Sequence, residues 1–130
     1  MVGERNLKIL LASMAPALHE DEFVFCTAGE LLGEPVCAVR ESEGWTLVLR
    51  RAEAQRLGIA GTFPCRMITL TVHSSLDAVG LMAAVTAEFA AAGIAVNVVS
   101  GYHHDHLFVP LDRAQNAVDI LLKTARRNRQ

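Results

Sequence analysis

No stretch of about 18 consecutive apolar residues occurs in the chain, so a membrane-spanning helix is not expected. Cysteine is scarce: Cys26, Cys37 and Cys65 sit in or beside apolar runs and never approach a CxxC spacing. That pattern argues against a zinc site and a disulfide framework, and it fits buried thiols in a reducing cytosol. An excess of one charge is missing too. Twelve lysines and arginines stand against 14 aspartates and glutamates, a formal charge of −2, which gives no general pull towards nucleic acid or an anionic membrane. There is no phosphate-cradling glycine loop, no nucleophile beside a recognisable base, no low-complexity tract and no close internal repeat. Catalysis and a bound cofactor are therefore not expected. The N-terminus, where Glu4, Arg5 and Lys8 surround a short apolar patch, has no secretory pattern, and a cytoplasmic location is the expectation.

What the chain has in quantity is apolar side chain. Hydrophobic residues make up 52% and charged ones 20% of its 130 residues, enough for a core in one compact domain or two very small ones. Asn6 is placed to cap a helix in which Leu7, Leu10, Leu11 and Met14 share a face, with Pro16 stopping it. The acidic His19–Glu22 stretch reads as a solvated link to a strand at Phe23–Thr27. Two more strands, Val36–Glu41 and Trp45–Arg50, flank Ser42-Glu43-Gly44, a hairpin turn, and Trp45 reads as the cap of a small core. A short helix at Ala52–Leu57 ends at Gly58, and Gly61–Pro64 reads as a linker.

The rest of the chain is organised around Cys65–Pro110. Met67–His73 alternates Ile68, Leu70 and Val72 with Thr69, Thr71 and His73, as a strand buried on one face does. Ala78, Met82, Val85, Phe89 and Ala92 then recur at helical spacing, with Ser74, Ser75 and Asp77 as capping candidates and Gly93 as the stop. The opposite side of that helix is Gly80, Ala83, Ala84, Ala87 and Ala91, with Glu88 at its flank. So smooth a face is expected to lie against a neighbouring subunit or the other half of the chain, and a homodimer is the expectation. Ile94–Val99 and His106–Val109 read as two strands joined through Ser100–His103. A last helix carries Ala114, Ala117, Val118, Leu121 and Ala125 on one side and ends in Lys123, Arg126, Arg127 and Arg129, which complement its negative pole.

Two constellations carry chemistry. The loop His73-Ser74-Ser75-Leu76-Asp77 leads from strand to helix, where free N–H groups make an anion receptor. Ser74 and Ser75 add hydroxyls, Asp77 offers a charge for an ammonium group, and Gly80 permits close approach of the backbone. The alternative is that Ser75 or Asp77 only caps the helix. Asn97, in the adjoining strand, has a side chain suited to a ligand or to neighbouring backbone. The second constellation is Tyr102-His103-His104-Asp105-His106. On a strand His104 and His106 would share one face and His103 and Asp105 the other, leaving His73 as a third ligand for zinc or nickel. The bland reading is that these side chains bond to one another and to a tight turn.

Leu76-Asp77-Ala78-Val79-Gly80-Leu81, then Val85, then Phe89-Ala90-Ala91-Ala92-Gly93-Ile94-Ala95-Val96-Asn97 resembles the ACT domain pattern of strand, D-x-x-G-type loop, helix ending in glycine-isoleucine, and strand. The blocks HSSLDAVG and GYHHDHLFVP are similar to those of small bacterial proteins with tandem ACT-like units. The resemblance implies an α+β, ferredoxin-like βαββαβ fold in two tandem units, residues 1–62 and 63–130. It also implies a non-catalytic regulatory module that binds an amino acid or similar effector where units meet. The implied ligand residues are His73, Ser74, Ser75, Leu76, Asp77, Val79, Gly80, Asn97 and Val98, with Glu43 and Thr46 contributed by the first unit. The rival reading is a metal-binding protein or metal-dependent enzyme built on His103, His104 and His106. The second unit lacks the last strand of the family pattern, and a strand from the first half is expected to fill that sheet edge.

Overall fold

A computed structural model describes residues 3–130. Helix α1, Leu7–Ser13, starts where the Asn6 side chain accepts a hydrogen bond from the Ile9 amide, and it buries Leu10 and Leu11. Strand β1 then runs from Pro16 to Ala28. The acidic stretch His19–Glu22 is thus strand and not a link. The reason lies in the pairing: β3 meets β1 only from Phe23 onward, so residues 16–22 are hydrogen-bonded on one side alone and lack apolar alternation. A register shift between Leu18 and Glu22 further breaks the pattern.

β2, Cys37–Glu41, and β3, Gly44–Arg50, form the expected hairpin. Gly44 has φ +136°, and a Cβ there would lie 2.8 Å from the Ala28 carbonyl oxygen, so only glycine fits. Helix α2, Arg51–Leu57, ends at Gly58 in the left-handed conformation. β4 occupies Thr62–Leu70, which removes the expected linker at Gly61–Pro64. Phe63 at φ +53° and the donor-less Pro64 disturb the ladder there, and a disturbed strand start reads in sequence as a loop.

β4 also ends earlier than the alternation to His73 suggested, and helix α3 begins only at Leu81, running to Ala91. Between them the chain turns aside: Thr71 bonds to the Ala15 carbonyl, and His73 and Ser75 bond to the backbone of Glu4. β5 (Asn97–Ser100), β6 (Asp105–Pro110), a 3-10 turn at Leu111–Arg113 and helix α4 (Ala114–Asn128) complete the chain.

The six strands form one antiparallel sheet in the order β2-β3-β1-β4-β6-β5. The missing last strand of the second half is supplied by β1, which lies against β4. β4 does the same for the first half, so each unit borrows the other's first strand and neither inner edge is open. All helices lie on one face of the sheet. α1, α3 and α4 cover Ile68, Leu70, Leu107 and Val109, with Phe89 and Leu121 fully buried between; α2 covers Val24, Cys26, Leu47 and Leu49. The opposite face carries a cluster of strand residues alone, Phe23, Val48, Cys65, Met67 and Phe108, with Phe23, Phe25 and Phe63 joined to it edge-to-face. The fold is α+β and ferredoxin-like, in two tandem units.

Candidate functional site

The loop from Thr71 to Gly80 lies at the C-terminal end of β4, beside the turn between β5 and β6. Its shape is set by the N-terminal segment. The Glu4 amide donates to the His73 carbonyl at 3.0 Å and the Ser75 amide donates to the Glu4 carbonyl at 2.8 Å. Gly3 is pressed onto this pairing; a Cβ there would come within 2.6 Å of the His73 oxygen. Inside the loop the Ser75 hydroxyl accepts from the Asp77 amide at 3.1 Å, and the Ala78 amide donates to the Ser75 carbonyl at 3.0 Å. Ser75 is buried and acts as an internal brace of the loop.

Part of the expected anion receptor is therefore already in use. The amides of Ser75, Asp77 and Ala78 have acceptors in the chain, whereas those of Leu76, Val79 and Gly80 have none among the described residues. The capping expectation also needs correction: neither Ser74, Ser75 nor Asp77 caps α3. Gly80 does so at φ +98°, with no side-chain hydrogen bond. A Cβ on Gly80 would lie 3.2 Å from the tip of Leu7, so α1 and the helix start approach each other closely.

Two hollows flank Ser74–Leu76. One, of about 250 Å³, is lined by His73, Ser74, Ser75, Leu76, Asp77, Gly3 and Tyr102. The other, of about 180 Å³, opens between the loop, the first turn of α3 and the β5–β6 hairpin, where Ser100 and Asp105 reach it. The rings of His73, Tyr102 and His103 stand together on the rim of the first, 5.0 to 6.5 Å apart by centroid. Asp105 is 6% exposed and accepts from the Ser74 hydroxyl at 3.1 Å.

The structure brings together His73, Ser74, Ser75, Leu76, Asp77 and Gly80, while Val79 projects outward, 83% exposed. It does not bring the other candidates to this place. Asn97 is in register with Phe108 and Met67, well short of the end of β4, and shares with Val99 the sheet face away from the helices. Val98 packs into the helix-covered core. Thr46 pairs with Thr27, and Phe25 with Thr62, so Thr46 and Glu43 lie beyond the first residue of β4, at the opposite end of the sheet. The Thr46 hydroxyl is held by Glu41.

The histidine run divides. β6 starts at Asp105, so His103 and His104 belong to the turn and the strand alternation expected for them does not apply. His106 turns to the other face of the sheet. There its Nδ1 meets the Thr69 hydroxyl at 2.9 Å, and Thr69 meets His19 Nε2 at 2.7 Å. Burial, and to a lesser extent His104 and His19, push the His106 imidazole below its ordinary value against a smaller opposing pull from Asp105. His104 Nδ1 is buried without a partner. Among the described residues no group of three histidine, cysteine, aspartate or glutamate side chains is placed to hold a metal ion, so the centre considered for His103, His104 and His106 does not assemble.

Ser100 was not among the sequence candidates, and Asp105 and Tyr102 stood only in the histidine constellation, not among the residues expected to contact an effector. Asp105 had a usable signal: it stands in phase with Leu107 and Val109, and a carboxylate in phase with core residues on a strand is costly without a purpose.

The chain matches two family models, both described as ACT domain, over residues 2–66 and 62–123. Their overlap falls at the start of the shared strand β4. Comparison with curated protein sequences gave no match. Among solved structures, the chain is similar to a Vibrio cholerae protein of unknown function, described as a possible transport protein, at 44% identity and TM-score 0.82. That match covers 92% of this chain and 95% of the other. An Agrobacterium tumefaciens protein shares the fold at 17% identity and TM-score 0.69, over 86% of this chain and 89% of its own. The ligand-free regulatory subunit of aspartate kinase from Thermus thermophilus does so at 9% identity and TM-score 0.59, over 86% and 98%. With two adjoining matches that together reach from residue 2 to residue 123, the chain belongs to the ACT domain family.

Proposed function

We propose that the protein is a regulatory module without chemistry of its own, in which an amino acid or similar small effector binds at the loop between β4 and α3. The observation that carries this reading is the pair of hollows flanking Ser74–Leu76, whose lining includes Leu76 and Gly80 with their unpaired amides. Amides at a helix start favour a carboxylate, and such groups left without partners contribute most when a ligand satisfies them. Support of a coarser kind comes from the family and from the fold shared with a regulatory subunit of aspartate kinase. His73, Ser74, Ser75, Leu76, Asp77 and Gly80 form the proposed site; Val79 projects away from it, and Asn97, Val98, Glu43 and Thr46 stand apart from it.

The two units, 1–62 and 63–130, are proposed to act as one body because each completes the other's sheet. Binding is proposed to alter self-association through the exposed small face of α3, where Ala83, Ala87 and Ala91 lie open. No helix is long and apolar enough to cross a membrane among the described residues. A cytoplasmic homodimer is the proposed form, and sedimentation as a monomer at high concentration would contradict it. The test of the site is a melting-temperature screen of free amino acids on the full chain, followed by amide chemical shifts for any stabilising compound. Shifts concentrated in residues 73–80 are expected. A flat screen, or shifts gathered at another place, overturns the reading.

A further inference from the structure

We infer that Asp105 selects for a primary ammonium group on whatever occupies the smaller hollow. The inference rests on the proposal that this loop is an effector site, and adds to it the group that discriminates. Asp105 is 94% removed from solvent by its 6% exposure, yet among the described residues its carboxylate has one side-chain hydrogen-bond donor, the Ser74 hydroxyl at 3.1 Å. No lysine or arginine reaches it: the ion pairs of the described residues are Arg51–Glu22, Arg56–Glu53 and Arg127–Glu88. An ionised carboxylate has about four acceptor positions and is expensive to bury unless they are filled. The one titratable neighbour on its strand does not fill them. His106 projects from the opposite face of β6 and spends Nδ1 on Thr69.

The free acceptor capacity lies beside a hollow of about 180 Å³ whose polar walls include Ser74, Ser75 and Ser100, with the Ser75 hydroxyl engaged by the Asp77 amide, and whose apolar walls include Leu81, Met82 and Ala83. An ammonium group has three donors and no acceptor, which matches Asp105 together with the two hydroxyl oxygens. A methyl in the same position would offer the carboxylate nothing, and a hydroxyl would offer one neutral donor in place of three charged ones. The surrounding apolar wall and small volume suit a compact aliphatic remainder. Exposed Asp77 lines the larger hollow instead, so the selection is assigned to the residue that solvent screens least.

The experiment titrates the full chain by calorimetry with matched pairs that differ only in ammonium against hydroxyl: L-alanine and L-lactate, L-valine and L-2-hydroxyisovalerate, L-leucine and L-2-hydroxyisocaproate. At least one amine is expected to bind at least about tenfold more tightly than its hydroxy partner, and Asp105→Asn is expected to bring the two within about twofold. If amine and hydroxy acid bind the unaltered protein equally, the role of Asp105 falls while the effector site stands. Discrimination that survives Asp105→Asn has the same meaning. If no member of any pair binds, the effector-site reading fails and takes this inference with it. Should Asp105→Asn not fold, Ser74→Ala decides, because it removes one of the hydroxyl oxygens assigned to accept from the ammonium and leaves the carboxylate charge. A roughly three- to tenfold weakening for the amine, with the hydroxy acid nearly unchanged, is expected; unchanged amine affinity overturns the inference.

Discussion

Cutting the chain at the boundary between its two units should leave neither half able to fold. Residues 63–130 alone retain the strands β4, β6 and β5 but lose β1, and with it the whole hydrogen-bonded ladder from Pro16↔Leu70 to Phe23↔Cys65. They also lose α1, whose Leu10, Leu11 and the following Met14 are 0%, 7% and 3% exposed in the larger core. Each such side chain contributes about 1.5–3 kcal/mol on burial, so these three account for roughly 5–9 kcal/mol. A domain's entire net stability is about 5–15 kcal/mol. The open edge of β4 would then offer Cys65, Met67, Ile68 and Leu70 to any extended chain. The expected result for the fragment is a collapsed spectrum of amide resonances, or aggregation. Adding a peptide of residues 1–30, which restores α1 and β1 as a separate chain, should recover dispersion. A monomeric, well-dispersed 63–130 fragment would refute the reasoning and show that the units are autonomous.

Gly80→Ala places a side chain at φ +98° and 3.2 Å from Leu7, and should cost about 1–2 kcal/mol, read as a melting temperature lower by several degrees; an unchanged melting curve would mean that the helix start relaxes freely. His106 is held below its ordinary value of 6.5, chiefly by burial, so the folded protein binds that proton less readily than the unfolded chain. Its contribution to stability is therefore intact above about pH 6.5 and shrinks as the pH falls below that. Urea unfolding at several pH values should show this decline, and His106→Gln should flatten it; equal slopes for both proteins would contradict the assignment. Burial pushes the Cys65 thiol up to about 12, and raises Cys37 less. A thiol reagent at pH 8 should therefore modify half-buried Cys37 first and Cys65 only once denaturant unfolds the chain, and equal rates would exclude this burial.

The parts of the fold that could be read in sequence are those where one local rule acts alone. Asn6 before an apolar run, Gly44 in a hairpin and Gly58 after a short helix each solve a backbone problem within a few residues. The parts that misled are those decided by distant partners. His19–Glu22 reads as a link because one side of β1 has no neighbour there, and Gly61–Pro64 reads as a linker because a strand with a disturbed ladder imitates one. The start of α3 was placed too early for a similar reason. Ser75 and Asp77 have the chemistry of caps, but Glu4, some seventy positions earlier, captures the Ser75 amide, and the loop continues to Gly80. The site was legible in the same proportion. The loop was found from its own residues, while Asp105, read in sequence only as part of the histidine run, joined the loop once β6 lay next to β4 and its side chain met Ser74.

The exchange of first strands also makes the two ends of the sheet comparable. β1 stands to β3 and β2 as β4 stands to β6 and β5, so the loop after β1 is the counterpart of the loop after β4. Where the second unit has α3, the first has only the segment 29–36, whose Leu32 packs against the core beneath α2. The Glu53 carboxylate accepts from the Glu34 amide at 3.2 and 3.3 Å, and a Cβ on Gly33 would lie 3.0 Å from it. At that end the chain thus fills its own anion position with a buried side chain and satisfies a loop amide internally. At the other end the loop amides and the Asp105 carboxylate stay incompletely paired beside open volume. On the proposed function, symmetric architecture with asymmetric satisfaction predicts one effector per chain, and a binding stoichiometry of two would require the Glu53 contact to open first.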